Sequence, residues 1–409
     1  MPYKSKTYSS RRFGGNYHGG GKSYSSGSSR GRSGGGGRKG PKKDYIDPSK
    51  FVKVATPSEA TQYTPLHAFS DFDVNPLIKQ NIAAKGFTTP TPIQDKTIPP
   101  ALAGRDIIGI ADTGTGKTAA FAVPILNSMM LGDARVLVIA PTRELAQQIE
   151  VEFRSIAKGS NLKGAVLIGG AGMGPQLRDL KYNPQIVIGT PGRIKDHLER
   201  GTLRLGNFKF VVLDEVDRML DMGFVNDVRS ILQQMSPERQ SFFFSATLDP
   251  KVNALIDTFS HDPLTVSIKT GDTGENIHQD VVRVSYDGEK LDKLHDLLIS
   301  GQVHKAIIFD DTQRSVERLS NELVSRGFSA DAIHGGKTQG ARQRSLKKFK
   351  DNEVKILVAT DVAARGIDVA DVSHVINYSQ PNSYSDYVHR IGRAGRAGKV
   401  GYALTFVVQ

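Results

Sequence analysis

From about residue 69 the chain alternates short apolar runs with stretches of helical period. Apolar runs bounded by turns read as strands buried on both faces, and their alternation with helices reads as parallel α/β sheets. The expected strands are 106–111, 135–140, 165–168, 185–189, 210–213, 241–244 and 264–268, with helices between them such as 118–130 and 142–157. A polar, glycine-containing stretch at 269–276 reads as a linker. The alternation resumes with strands 280–286, 305–309, 330–334, 355–359, 374–378 and 402–407, and no C-terminal appendage is expected after them. The pattern predicts two α/β domains, 69–268 and 277–409, behind a connector at 44–68 that contains Pro48, Pro57 and Pro65.

Residues 1–43 break this pattern. They are Gly, Ser, Lys and Arg with scattered Tyr3, Tyr8, Phe13, Tyr17 and Tyr24, and they show no helical or strand period. Such a segment cannot bury enough apolar surface to offset its ordering entropy, so a disordered tail is expected. The tail also locates the net charge of +12: it holds eleven Lys or Arg and no acid, which leaves 43 basic residues against 42 acidic ones elsewhere. Any nucleic-acid contact in the body must therefore come from placed residues and not from a bulk field. Two readings of the tail stand, a solubilising extension or a non-specific RNA-binding arm whose cations track phosphates and whose rings stack on bases. The chain has no cysteine, which excludes disulfides and Cys-ligated zinc. No apolar run is long enough to span a membrane, and the N-terminus lacks the apolar stretch of a secretory signal.

Two motifs carry chemistry. The first expected strand runs into Ala111-Asp112-Thr113-Gly114-Thr115-Gly116-Lys117-Thr118, and a helix follows. That is the strand–loop–helix context of a phosphate loop, with Ala111 where the usual pattern has Gly. Gly114 and Gly116 free the backbone N–H groups to face a phosphate, Lys117 can reach the β- and γ-phosphates, and the Thr118 hydroxyl can ligate Mg²⁺. The apolar run 210–213 ends in Asp214-Glu215-Val216-Asp217. Carboxylates at the end of a strand beside a phosphate loop are placed to hold metal and water, with Asp214 as the Mg²⁺ contact and Glu215 as the base that orients the attacking water.

Together, at this separation, these motifs resemble the DEAD-box RNA helicases, and the resemblance continues in order over about residues 69–409. It implies two RecA-like domains, ATP with Mg²⁺, and RNA as partner. Gly86-Phe87-Thr88-Thr89-Pro90-Thr91-Pro92-Ile93-Gln94 looks like the family's adenine-reading motif. Gln94 carries an amide that donates and accepts. Phe69, seventeen residues before Gly86, matches the aromatic that stacks on the base. The resemblance adds Phe87, Thr113, Thr115, Gly366 and Asp368 to the nucleotide set, with Asp368 at the ribose. Pro141-Thr142-Arg143, the Gly169-Gly170 doublet and Thr190-Pro191-Gly192-Arg193 resemble the RNA-backbone motifs of the first domain, and Thr360 and Arg365 those of the second. Arg143 and Arg193 are suited to phosphates. Ser245-Ala246-Thr247 is similar to the triplet that couples hydrolysis to duplex opening through the last Asp of the acidic motif, here Asp217. Gln339 with Arg342 matches a further second-domain motif. The run from His389 to Arg396 resembles the arginine motif, in which His389 serves coupling and Arg393 and Arg396 reach the γ-phosphate.

One position departs from the family pattern: Val216 stands where the acidic motif has Ala, so the added methyl groups are expected near the coupling triplet. The function implied is RNA-stimulated ATP hydrolysis that opens short RNA duplexes or remodels RNA–protein complexes, with little sequence specificity. An ATP-gated RNA clamp of low turnover and a DNA helicase are the alternatives. Ribonucleoprotein partners and a cytoplasmic location are implied, or a nuclear location in a eukaryote.

Overall fold

The computed structural model describes residues 45–55, 63–112, 114–132, 134–268, 276–364, 369, 371–395 and 399–408. The expected tail at 1–43 and all but the last residue of the expected linker lie outside the described residues.

The first lobe runs α1 (Pro76–Ala84), α2 (Pro92–Leu102), β1 (Ile107–Ile110), α3 (Lys117–Leu131), β2 (Val136–Ile139), α4 (Arg143–Ile156), β3 (Gly164–Leu167), α5 (Met173–Lys181) and β4 (Ile186–Gly189). It continues with α6 (Pro191–Glu199), β5 (Phe210–Asp214), α7 (Val216–Asp221), α8 (Val225–Leu232), β6 (Gln240–Ser245), α9 (Pro250–Phe259) and β7 (Leu264–Ser267). The seven strands form one parallel sheet in the order β3-β4-β2-β5-β6-β1-β7. Strands such as Val136-Leu137-Val138-Ile139 are apolar throughout because helices cover both faces, and a hydrophobic cluster lies on each side.

The second lobe runs β8 (Ile277–Val284), α10 (Lys290–Ile299), β9 (Ala306–Phe309), α11 (Gln313–Ser325), β10 (Ala330–Ile333), α12 (Gln339–Lys350), β11 (Ile356–Ala359), α13 (Asp361–Ala364), β12 (His374–Asn377), α14 (Tyr384–Ile391) and β13 (Gly401–Val408). Its six parallel strands are ordered β10-β11-β9-β12-β13-β8. β8 begins three residues before the expected start at 280, because it pairs along its whole length with β13, from Ile277 with Gly401 to Val284 with Val408.

The connector holds an arrangement that its prolines did not foreshadow. A short 3-10 turn, Pro48–Phe51, packs on the second lobe, where Phe51 is fully buried against Tyr387 at 4.7 Å between ring centroids. Lys53 and Gln279 exchange backbone hydrogen bonds of 2.9 and 2.8 Å, which adds an antiparallel bridge to the edge strand β8. The other end of the connector is held on the first lobe. There the Asp95 carboxylate accepts from the Leu66 N–H at 2.8 Å and the Tyr63 hydroxyl at 2.5 Å, and it pairs with His67 at 2.7 Å.

Candidate functional site

Three adjacent strands, β5, β6 and β1, each end in a motif on the same edge of the first sheet. Open parallel sheets place their ligands outside these C-terminal ends. After β1, Gly114 and Gly116 take φ of 86° and 90°, a left-handed backbone that glycine adopts without strain. Gly116 meets a second demand: a Cβ there would lie 2.5 Å from the Gln94 amide nitrogen. Gln94 itself donates to the Gly116 carbonyl at 3.1 Å and accepts from the Thr91 N–H at 2.9 Å, so α2 and the phosphate loop are tied together. Lys117 is buried at the start of α3 and donates to the Ala111 carbonyl at 2.8 Å. The Thr115 hydroxyl donates to the Asp112 carbonyl at 2.8 Å. Thr113 lies outside the described residues.

Asp214 ends β5 and is buried, and desolvation pushes its carboxyl up to about 6, with Glu215 adding to the rise and the Lys117 cation opposing it. Glu215 follows in a left-handed conformation, φ 56°, which turns the chain so that α7 starts across the sheet edge. Asp217 then faces the end of β6. Its carboxylate accepts from the Ala246 N–H at 3.0 Å, the Thr247 N–H at 3.1 Å and the Thr247 hydroxyl at 3.3 Å, while its own N–H donates to the Ser245 hydroxyl at 3.4 Å. Val216 points the other way, fully buried in one of the two clusters of the first lobe. Its added methyl groups are part of that core.

A cavity of about 470 Å³ opens over this edge. Phe87, Gln94, Gly114, Gly116, Lys117, Thr118, Asp214 and Glu215 line it from the first lobe together with α4 side chains such as Glu144 and Gln147, and Arg393 lines it from the second together with Gln343, Leu346 and Lys350 of α12. Phe69 does not line it. Its ring is covered by Phe72, edge-on at 5.8 Å, and by Phe87, stacked at 6.2 Å, so Phe87 is the aromatic presented to the cavity. Gly366, Asp368 and Arg396 lie outside the described residues.

The loops after β2, β3 and β4 form a second group. The Arg143 guanidinium crosses Gly170 so closely that a Cβ there would lie 2.0 Å from its Nη1, and Gly170 has φ of 73°. Arg193 donates to the Ala171 carbonyl at 3.2 Å and sits 3.7 Å from Asp196. Gly192 is exposed with open space beside it. Pro141 and Thr142 are buried, and the Thr142 hydroxyl caps α4 by accepting from the Leu145 N–H at 3.3 Å. Thr190 is the N-cap of α6. Thr360 lies at the end of β11, buried, with its carbonyl capping α13. Arg365 lies outside the described residues.

Two contacts between the lobes involve residues that sequence reasoning did not assign. Glu144, in the first turn of α4, accepts from Arg342 at 2.8 Å and from Gln339 at 3.2 Å, and the pair is buried. Arg218, on α7, lies 3.1 Å from Glu215 and 3.2 Å from the His389 Nδ1. Arg218 stands three residues after Glu215, a helical spacing that could have flagged the pair.

Set beside known proteins, residues 91–255 match the family described as DEAD/DEAH box helicase, and residues 289–398 match the helicase conserved C-terminal domain. The ATP-dependent RNA helicase CshA of Listeria monocytogenes is 46% identical over 342 residues, covering 83% of this chain and 66% of that protein. The DEAD-box ATP-dependent RNA helicase CshA of Bacillus subtilis is 44% identical over 342 residues, covering 83% and 69%. This chain belongs to the DEAD-box ATP-dependent RNA helicase family. Its two-lobe DEAD-box fold resembles that of S. cerevisiae Dbp5 bound to RNA and ADP BeF3, with a TM-score of 0.74, 29% identity and coverage of 84% of this chain and 90% of that one. The chain spans about two thirds of the length of these two bacterial relatives. Among the described residues no helix is long and apolar enough to cross a membrane.

Proposed function

We propose that this DEAD-box chain hydrolyses ATP in an RNA-stimulated manner and uses the cycle to open short RNA duplexes or remodel RNA–protein complexes. Residues 69–268 serve as the ATP-binding domain and 277–409 as the helicase C-terminal domain. The observation that carries the reading is the shared cavity, in which the phosphate loop, Asp214 and Glu215 of one lobe face Arg393 of the other. ATP and RNA then favour the same closed arrangement, and each raises the affinity for the other.

The residues present fit a nucleotide with Mg²⁺. Among the described residues no group of three His, Asp or Glu could hold a metal unaided. One buried carboxylate, Asp214, and one hydroxyl, Thr118, instead suit an octahedral ion that keeps phosphates and waters as its other ligands. Bound with the nucleotide, Mg²⁺ would offset the charge of the β- and γ-phosphates. Lys117 would leave the Ala111 carbonyl for the phosphates, and Gly114 and Gly116 would offer N–H groups to them. Gln94 has amide capacity left for adenine, and Phe87 for stacking on it. Phe69 would then support Phe87 from behind. Glu215 is the base. Its Oε2 is buried without a hydrogen-bond partner, which leaves lone pairs for the attacking water. Arg393 would meet charge developing on the γ-phosphate. Arg143, Gly170, Gly192 and Arg193 would hold the RNA backbone, and Asp217 with Ser245 and Thr247 would pass the state of the acidic motif to it. Arg396, Asp368, Arg365, Gly366 and Thr113 keep the roles the family motif assigns. The bacterial relatives favour the cytoplasm over the nucleus as the site of action.

The test is steady-state ATP hydrolysis with and without single-stranded RNA, for the wild-type chain and Glu215→Gln. Strong stimulation by RNA that vanishes in the variant is expected. ATP-dependent RNA retention with negligible turnover in the wild type would replace the helicase reading with the clamp, and equal stimulation by DNA would remove the RNA preference.

A further inference from the structure

Arg218 has no part in the scheme above, yet it is 3% exposed at the face between the lobes. A guanidinium buried that far needs partners, because the desolvation of a charge is recovered only through close pairing. Among the described residues its guanidinium has two, on different lobes. Nη1 lies 3.1 Å from the Glu215 Oε2 within the acidic motif, and Nη2 lies 3.2 Å from the His389 Nδ1 on α14. His389 connects onward, since its carbonyl accepts from the Arg393 Nε at 3.4 Å. The base, Arg218, His389 and the cavity arginine thus form one continuous chain of contacts across the lobe boundary.

The geometry of the first contact decides what that chain does. Although Nη1 and Oε2 are at ion-pair distance, neither makes a hydrogen bond, because the N–H direction misses the oxygen. The guanidinium plane is aimed at His389 instead. Glu215 therefore keeps the attraction of a nearby cation while its oxygen stays open to a water. With the second lobe away, the His389 acceptor would be lost, and the guanidinium, three residues after the Glu215 N-cap of α7, would be free to turn its donors onto that oxygen.

We propose that Arg218 is a positioning residue that makes the availability of Glu215 depend on docking of the second lobe, through His389. The inference rests on the hydrolytic reading above, and it differs from the coupling of Asp217 to the Ser-Ala-Thr triplet, which lies wholly within the first lobe.

Arg218→Lys keeps a cation that can pair with Glu215 but cannot also donate to His389. The expected result is a fall of about tenfold or more in kcat at saturating RNA, with half-saturation by ATP within about twofold and an unchanged melting temperature. A purely structural role would instead lower the melting temperature and would not separate kcat from KM. His389→Ala cuts the same tie from the other lobe, so it reproduces the loss even where an Arg218 variant folds badly. The double variant should then be no slower than the slower single one. Wild-type kcat in either single variant, or fully multiplicative losses in the double, overturns the inference alone. A wild-type chain without RNA-stimulated hydrolysis would overturn the hydrolytic reading and this inference with it.

Discussion

Val216 shows how one residue's role depends on which way the backbone turns beside it. Glu215 takes a left-handed conformation, and the next two side chains then diverge, Val216 into the core and Asp217 to the Ser-Ala-Thr triplet. Val216→Ala is therefore expected to leave RNA-stimulated hydrolysis within about twofold while the cavity left behind lowers stability by roughly 1–3 kcal/mol, measured by urea unfolding. Loss of hydrolysis at full stability would put Val216 back among the coupling residues. Gly170 makes the opposite case, a residue whose lack of a side chain is what matters. Its φ of 73° and the Arg143 guanidinium lying across it leave no room for a Cβ. Gly170→Ala should displace Arg143 and weaken RNA binding by about tenfold, with nucleotide affinity unchanged, as followed by fluorescence anisotropy of labelled RNA. Unaltered RNA binding would mean that Arg143 is not a phosphate contact.

At the scale of elements, the connector is the unexpected part. Residues 46–55 bridge to the β8 edge of the second sheet and bury Phe51 against Tyr387 of α14, the helix that leads into Arg393, while residues 63–67 are bound to Asp95 beside Gln94. The segment thus touches the helix of the arginine motif at one end and the helix of the adenine motif at the other. Phe51→Ala should cost about 3–5 kcal/mol in the second lobe, a size set by removal of a fully buried aromatic. Faster hydrogen exchange along Ile277–Val284 is the readout, and exchange at the wild-type rate would show that the connector does not hold the edge. The strands were legible in advance because apolar runs of strand length between helical periods leave few other solutions. The connector was not, because one Phe among prolines and charges has no period to read.

For the whole molecule, stability on the acid side should carry a contribution from buried His374, opposed in part by Asp214, whose carboxyl takes up its proton at about 6 in the folded chain. His374 is buried at the start of β12, stacked on Tyr402 at 4.8 Å, and burial pushes its pKa down to about 4, with the nearby His304 adding to the effect. The unfolded chain binds a proton near pH 6.5 that the folded chain refuses until about pH 4. The contribution of the neutral ring is complete above pH 6.5 and is lost as pH falls through that window, by roughly 2 kcal/mol after allowance for screening. Urea unfolding at pH 7 and pH 5 isolates the His374 contribution as the difference between the wild type and His374→Phe: the wild type should lose more stability, or gain less, on acidification than the variant, and equal changes would assign the acid sensitivity elsewhere.

Apart from the α4 and α12 side chains that also line the cavity, the sequence by itself determined the two parallel sheets, the phosphate loop, the acidic motif and the residues by which these motifs face it. Each of these is a local pattern, an apolar strand ending in Gly, Asp or Thr, and the strand end fixes where the motif lies. Only the tertiary structure decided that Phe69 is covered while Phe87 is presented, that Val216 fills core, and that Pro141 and Thr142 are buried supports of their loop. The contacts of Arg342 with Glu144 and of Arg218 with His389 also belong to it, since they join residues 198 and 171 positions apart. Local spacing carries no information about such pairs, because they exist only when two separate sheets present facing side chains and desolvate them together.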